Sequence, residues 1–158
     1  MDTQTQDLEQ IAREALGFVP TSGVDGLSQR SREGLQYGLK HRLFKKDDVD
    51  AAMIKFREYT AREALGFVPT SGVDGIAPRS REGLQYGLKH KLFTQADVDN
   101  AQTEFREYQA RRMLGFVPTS GVNGIHDRAA LQYGLDNKLF TQADVDGAQK
   151  IYEASRRK

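Results

Sequence analysis

Cysteine is absent from the chain, which excludes disulfides, thiolate nucleophiles and thiolate metal sites together and is compatible with a reducing compartment. Long apolar runs are also missing: nothing approaches the roughly 20 residues that span a bilayer. The stretch from Met1 to Gln10 is polar and lacks the basic start of a signal peptide. The expectation is a soluble, cytoplasmic protein with no membrane partner. Charge of one sign is lacking too, since a net charge of +1 gives no global attraction to nucleic acid or anionic lipid.

What is present is repetition. The string Leu-Gly-Phe-Val-Pro-Thr-Ser-Gly-Val stands at Leu16 to Val24, Leu65 to Val73 and Leu114 to Val122, a spacing of 49 residues both times. Ala12 to Thr60 and Ala61 to Gln109 differ at 12 of 49 positions, and the third copy, from Ala110, lacks two residues opposite Ser80 and Arg81. Units of this size are marginal alone, so neighbouring units are expected to lean on each other. The expected organisation is a capping helix start over 1–11, then copies over 12–60, 61–109 and 110–158, the last ending in a polar cap. The fold class expected is all-α: three tandem helical hairpins, stacked as a solenoid-like array or closed into a compact bundle.

Within a copy, Asp48 to Leu65 has neither Pro nor Gly and spaces Val49, Ala52, Met53, Phe56 and Tyr59 at helical intervals. Thr94-Gln-Ala-Asp97 and Thr141-Gln-Ala-Asp144 mark helix starts by capping, whereas Lys45 holds the same position in the first copy and is expected to cap worse. Gly66 and Gly115 are the expected helix ends, followed by a loop from Phe67 to Gly75. A shorter helix is expected over roughly Arg81 to Leu92, carrying Leu84, Leu88 and Leu92 in one row. Beside that row Gly83 and Gly87 predict close approach of a neighbouring backbone. The stretch Leu84 to Asp99 is similar in cadence to short helix-turn-helix modules, a cadence shared by many hairpins. The 49-residue period departs from tetratricopeptide, ankyrin and pentatricopeptide lengths, and their signature residues are absent.

Catalytic chemistry has little to stand on. The Thr-Ser-Gly-Val-Asp/Asn-Gly loop lacks the Gly-Lys-Ser/Thr ending of a phosphate-binding loop, and Asp25, Asp74 and Asn123 do not form a calcium loop. His41 and His90 are equivalent, but His126 aligns with Ala77, so no repeated zinc pair or triad arises. The chain is therefore expected to be no enzyme, with no cofactor and no metal. Charge segregation is the sharper signal. Ser28 to Lys46 carries six cations against Glu33, Ala77 to Gln95 four against Glu82, and His126 to Gln142 two against Asp127 and Asp136.

The expected function is a protein- or peptide-binding scaffold or adaptor. Each copy would contact its partner through the loop hydroxyls and the short helix: Thr21, Ser22, Arg30 and Tyr37; Thr70, Ser71, Arg79 and Tyr86; Thr119, Ser120, Arg128 and Tyr133. A partner that is acidic or itself repetitive would engage several copies at once. The alternative is nucleic-acid binding through the basic short helices of the first two copies, with tyrosines as stacking groups. Self-association is a further expectation.

Overall fold

The computed structural model describes residues 3–157; Met1, Asp2 and Lys158, at the outer ends of the two expected caps, lie outside them. All regular structure among the described residues is helical. The elements are α1 (Thr3–Ser22), α2 (Gln29–Lys40), α3 (Lys46–Ser71), α4 (Pro78–Lys89), α5 (Gln95–Ser120), α6 (Arg128–Asp136) and α7 (Gln142–Arg156), with a single 3₁₀ turn at Val122–Gly124. No helix among the described residues is long and apolar enough to cross a membrane.

The chain divides into two compact units. One comprises Met1–Ala64 and Ala77–Phe93, the other Leu65–Ile76 and Thr94–Lys158. In the first, α1 packs on α2 around Ala12, Ala15, Val19, Leu27, Leu35, Phe44, Val49 and Ala52. The small residues of α1 recur at intervals of three and four, which puts them on one face and lets α2 come close. A methyl on Gly34 of α2 would stand 3.2 Å from the backbone nitrogen of Ala12, so the approach depends on the missing Cβ. In the second unit, α5 packs on α6 and α7 around Ala110, Met113, Val117, Ile125, Leu131, Phe140 and Val145.

The long helices do not end where Gly66 and Gly115 predict. Both glycines lie inside α3 and α5, which continue through Pro69 and Pro118 to Ser71 and Ser120. The supposed loop is therefore mostly helix. Burial explains the extension, because Val19, Val68 and Val117 are fully buried and each anchors the final turn that contains the proline. Each proline removes a single donor, the one that would serve the carbonyl of Leu65 or Leu114 four residues before it. Termination falls instead at Gly23, Gly72 and Gly121, whose φ angles of 71°, 72° and 73° are open to glycine.

The short helix also starts and stops earlier than Arg81 to Leu92. Pro78 opens α4 at its first turn, where a missing N–H costs nothing. The helix closes because Lys91 takes φ 58°, as do Arg42 at 57° and Lys138 at 59°. The amide of the next residue then reaches back to a glycine carbonyl at 2.9 Å, Leu43 to Gly38, Leu92 to Gly87 and Leu139 to Gly134, a Schellman-type closure. Those same glycines face the rings of Phe44, Phe93 and Phe140, which a Cβ would overlap.

Candidate functional site

The hydroxyls nominated by sequence are largely engaged by their own helices. Thr21, Thr70 and Thr119 donate from Oγ1 to the carbonyls of Phe18, Phe67 and Phe116 at 3.1, 3.2 and 3.1 Å. Ser22 donates to the Phe18 carbonyl at 2.9 Å. Loop amides are similarly committed: Val73 donates to Gln102 Oε1 and Val122 to Gln149 Oε1, both at 2.9 Å. In the first copy Val24 meets the weaker acceptor Met53 Sδ at 3.4 Å. An aromatic ring covers each terminating glycine, Phe56 over Gly23, Phe105 over Gly72 and Tyr152 over Gly121. These contacts hold the loop closed rather than presenting its amides to an anion.

Two adjoining hollows in the first unit bring several of the nominated residues together. One, of about 370 Å³, is lined by Ser22 to Gly26 together with Met53, Phe56, Arg79 and Glu82. The other, of about 240 Å³, is lined by Phe56, Arg57, Thr60, Arg79, Glu82, Gly83 and Tyr86. Both share Phe56, Arg79 and Glu82. The Arg79 guanidinium lies 5.0 Å from the centroid of the Phe56 ring, a cation–π contact that leaves its N–H groups open to a partner. Arg79 of the second copy thus shares one hollow with Ser22 of the first and the adjoining hollow with Tyr86.

The sequence-equivalent place between α1 and α2 holds Arg30, Glu33 and Gly34, with Asp7, Leu8 and Ile11 where the second copy has Phe56, Arg57 and Thr60. Arg128 is exposed and Tyr133 half-buried. At the corresponding position of α5, Gln109 carries a buried Oε1 without a hydrogen-bond partner among the described residues. Tyr37 and Tyr86 are half-buried and tilt onto His41 and His90 with ring centroids 4.1 Å apart in both cases. Asn137 replaces that histidine beside Tyr133 and donates to its carbonyl at 2.9 Å.

Sequence reasoning passed over the exposed phenylalanines. Phe18 and Phe67 are 52% and 46% exposed, while the equivalent Phe116 is shielded by Arg112, 5.5 Å from its centroid, and by His126 at 6.3 Å. The available signal was the change at two positions in the third copy, Glu63 to Arg112 and Ala77 to His126. Among titratable groups, the exposed Tyr59 stands out: its hydrogen bond to the Glu63 carboxylate, then repulsion by that charge, push the phenol above its ordinary 10.0. No group of three or more His, Cys, Asp or Glu among the described residues is placed to hold a metal.

No protein-family model, curated protein or solved structure matches this chain.

Proposed function

We propose that this chain is a non-enzymatic scaffold of three tandem helical hairpins that binds a protein or peptide partner across the junctions between copies. The observation that carries the reading is the convergence of Ser22, Arg79 and Tyr86 on two adjoining hollows that share the Phe56 ring. Such a surface combines an aromatic anchor, a guanidinium and hydroxyls, the residue types favoured where short segments of a partner are held. The 49-residue period and the recurring glycine-closed turn support an array in which each junction is built alike.

Selection of a displayed peptide library against the wild-type chain is expected to enrich one recurrent motif, and Arg79→Glu is expected to lose that enrichment at unchanged helix content and melting temperature. Equal enrichment by the variant would remove the hollow from the proposal.

Nucleic-acid binding is the second reading, supported by the exposure of Arg30, Arg32, Arg42, Lys45 and Lys46. Of these, only Lys46 has a carboxylate within ion-pair distance among the described residues, Asp50 at 3.3 Å. It predicts binding of an oligonucleotide at low salt that weakens steeply as salt rises. A mobility-shift assay without a shifted band at low salt excludes it.

A further inference from the structure

A third hollow in the first unit, of about 770 Å³, has an apolar floor and a basic rim. Val24, Leu35, Leu39, Phe44 and Val49 form the floor; Arg42, Lys45 and Lys46 stand at the rim with Gln36 and Asp50. The size is that of a ligand cleft. The sequence copies provide an internal comparison. In sequence, the apolar positions recur as Val73, Leu84, Leu88, Phe93 and Val98, and again as Val122, Leu131, Leu135, Phe140 and Val145. The rim is not kept: Lys91, Thr94, Gln95 and Asp99, then Lys138, Thr141, Gln142 and Asp146, replace Arg42, Lys45, Lys46 and Asp50. Three cations against one carboxylate, net +2, thus become one against one, net zero, at both later positions.

The two extra lysines weaken the helix start on which they sit. Thr94 and Thr141 each complete a reciprocal capping box with Asp97 and Asp144. Lys45 supplies only the backbone half, its N–H donating to Asp48 Oδ2 at 2.8 Å, because its side chain cannot accept the returning hydrogen bond. Lys45 makes no ion pair among the described residues, and Lys46 pairs only with the exposed Asp50. Arg42 occupies its rim position in the left-handed region, at φ 57°. Positive charge thus stands beside an apolar floor where the other copies have a complete cap, and among the described residues its one ion pair is the exposed one between Lys46 and Asp50.

We infer that this hollow is a docking site for an acidic peptide segment whose apolar side chains enter the floor and whose carboxylates meet Arg42, Lys45 and Lys46. Charge complementarity selects the occupant: an apolar floor beside three cations suits apolar side chains flanked by carboxylates. The inference shares with the proposed function the class of ligand but uses none of Ser22, Arg79 and Tyr86. The two therefore fail separately.

The test is fluorescence anisotropy with a labelled synthetic peptide of alternating leucine and glutamate clusters, titrated with the full chain. The comparison variant is Lys45→Thr with Lys46→Gln, which installs the residues of the other two copies and is expected to melt higher than wild type. Wild type is expected to bind about tenfold more tightly than this variant at low salt. It is also expected to bind the leucine peptide at least about tenfold more tightly than a counterpart with serine for leucine. Arg79→Glu should bind the peptide like wild type. Equal affinity of wild type and the double variant, equal affinity for the leucine and serine peptides, or tighter binding of anionic vesicles or a single-stranded oligonucleotide than of the peptide would each overturn the inference.

Discussion

At the scale of residues, identical amino acids carry different duties according to backbone conformation. Gly66 lies inside α3 with open space where its Cβ would stand, whereas Gly72 has φ 72° and its Cβ would come 2.7 Å from the Phe105 ring. Gly66→Ala is therefore expected to stabilise by about 0.5–1 kcal/mol, through helix propensity and lost unfolded-state entropy. Gly72→Ala should destabilise by about 1–2 kcal/mol or more, since it adds the left-handed penalty to a steric one. Thermal melts of the two variants check the opposite signs. The sequence alone assigned the terminating role to Gly66 and Gly115, because a helix propensity scale sees Gly followed by Pro and cannot see that Val68 and Val117 are buried. The left-handed cations Arg42, Lys91 and Lys138 were equally hidden, since Arg and Lys are good helix formers and give no local sign of a chain reversal.

At the scale of elements, the starts of α5 and α7 were the most legible feature, because a capping box is a local pattern with a local reason. Thr94 accepts from the Asp97 amide at 3.2 Å, and the Asp97 carboxylate accepts from the Thr94 amide at 2.9 Å. Thr94→Ala is expected to cost about 0.5–2 kcal/mol, and Lys45→Thr to gain an amount within the same range. Chemical denaturation of the two single variants measures both. Helix ends were less legible than starts. The loop after each long helix is set by a ring from a later helix, Phe56, Phe105 or Tyr152, and by the Gln102 and Gln149 acceptors, residues roughly 30 positions away in sequence. The candidate site shows the same division: Ser22, Arg79 and Tyr86 were nominated singly, and that Arg79 shares one hollow with Ser22 and an adjoining one with Tyr86, both beside Phe56, is a tertiary fact.

At the scale of the whole molecule, the two units interleave along the chain, the first resuming at Ala77–Phe93 after the second has taken Leu65–Ile76. Helix α3 contributes to both, Lys46–Ala64 to one and Leu65–Ser71 to the other. Neither unit is a contiguous stretch that can come apart without breaking that helix, so urea unfolding is expected as one cooperative transition. Its slope should lie near 1–3 kcal/mol/M, roughly the range for chains of this size. Superposition of the helical circular dichroism and tyrosine fluorescence curves checks this; two separated midpoints would show that the units unfold alone. Composition, the 49-residue period and apolar spacing were enough to establish helices, their approximate number and the basic bias of the first two short helices, because those follow from local stereochemistry and from counting. Where the helices stop, which loop groups are already hydrogen-bonded, and which apolar residues lie beside Arg42, Lys45 and Lys46 depend on contacts between residues distant in sequence, and only the folded chain brings those residues together.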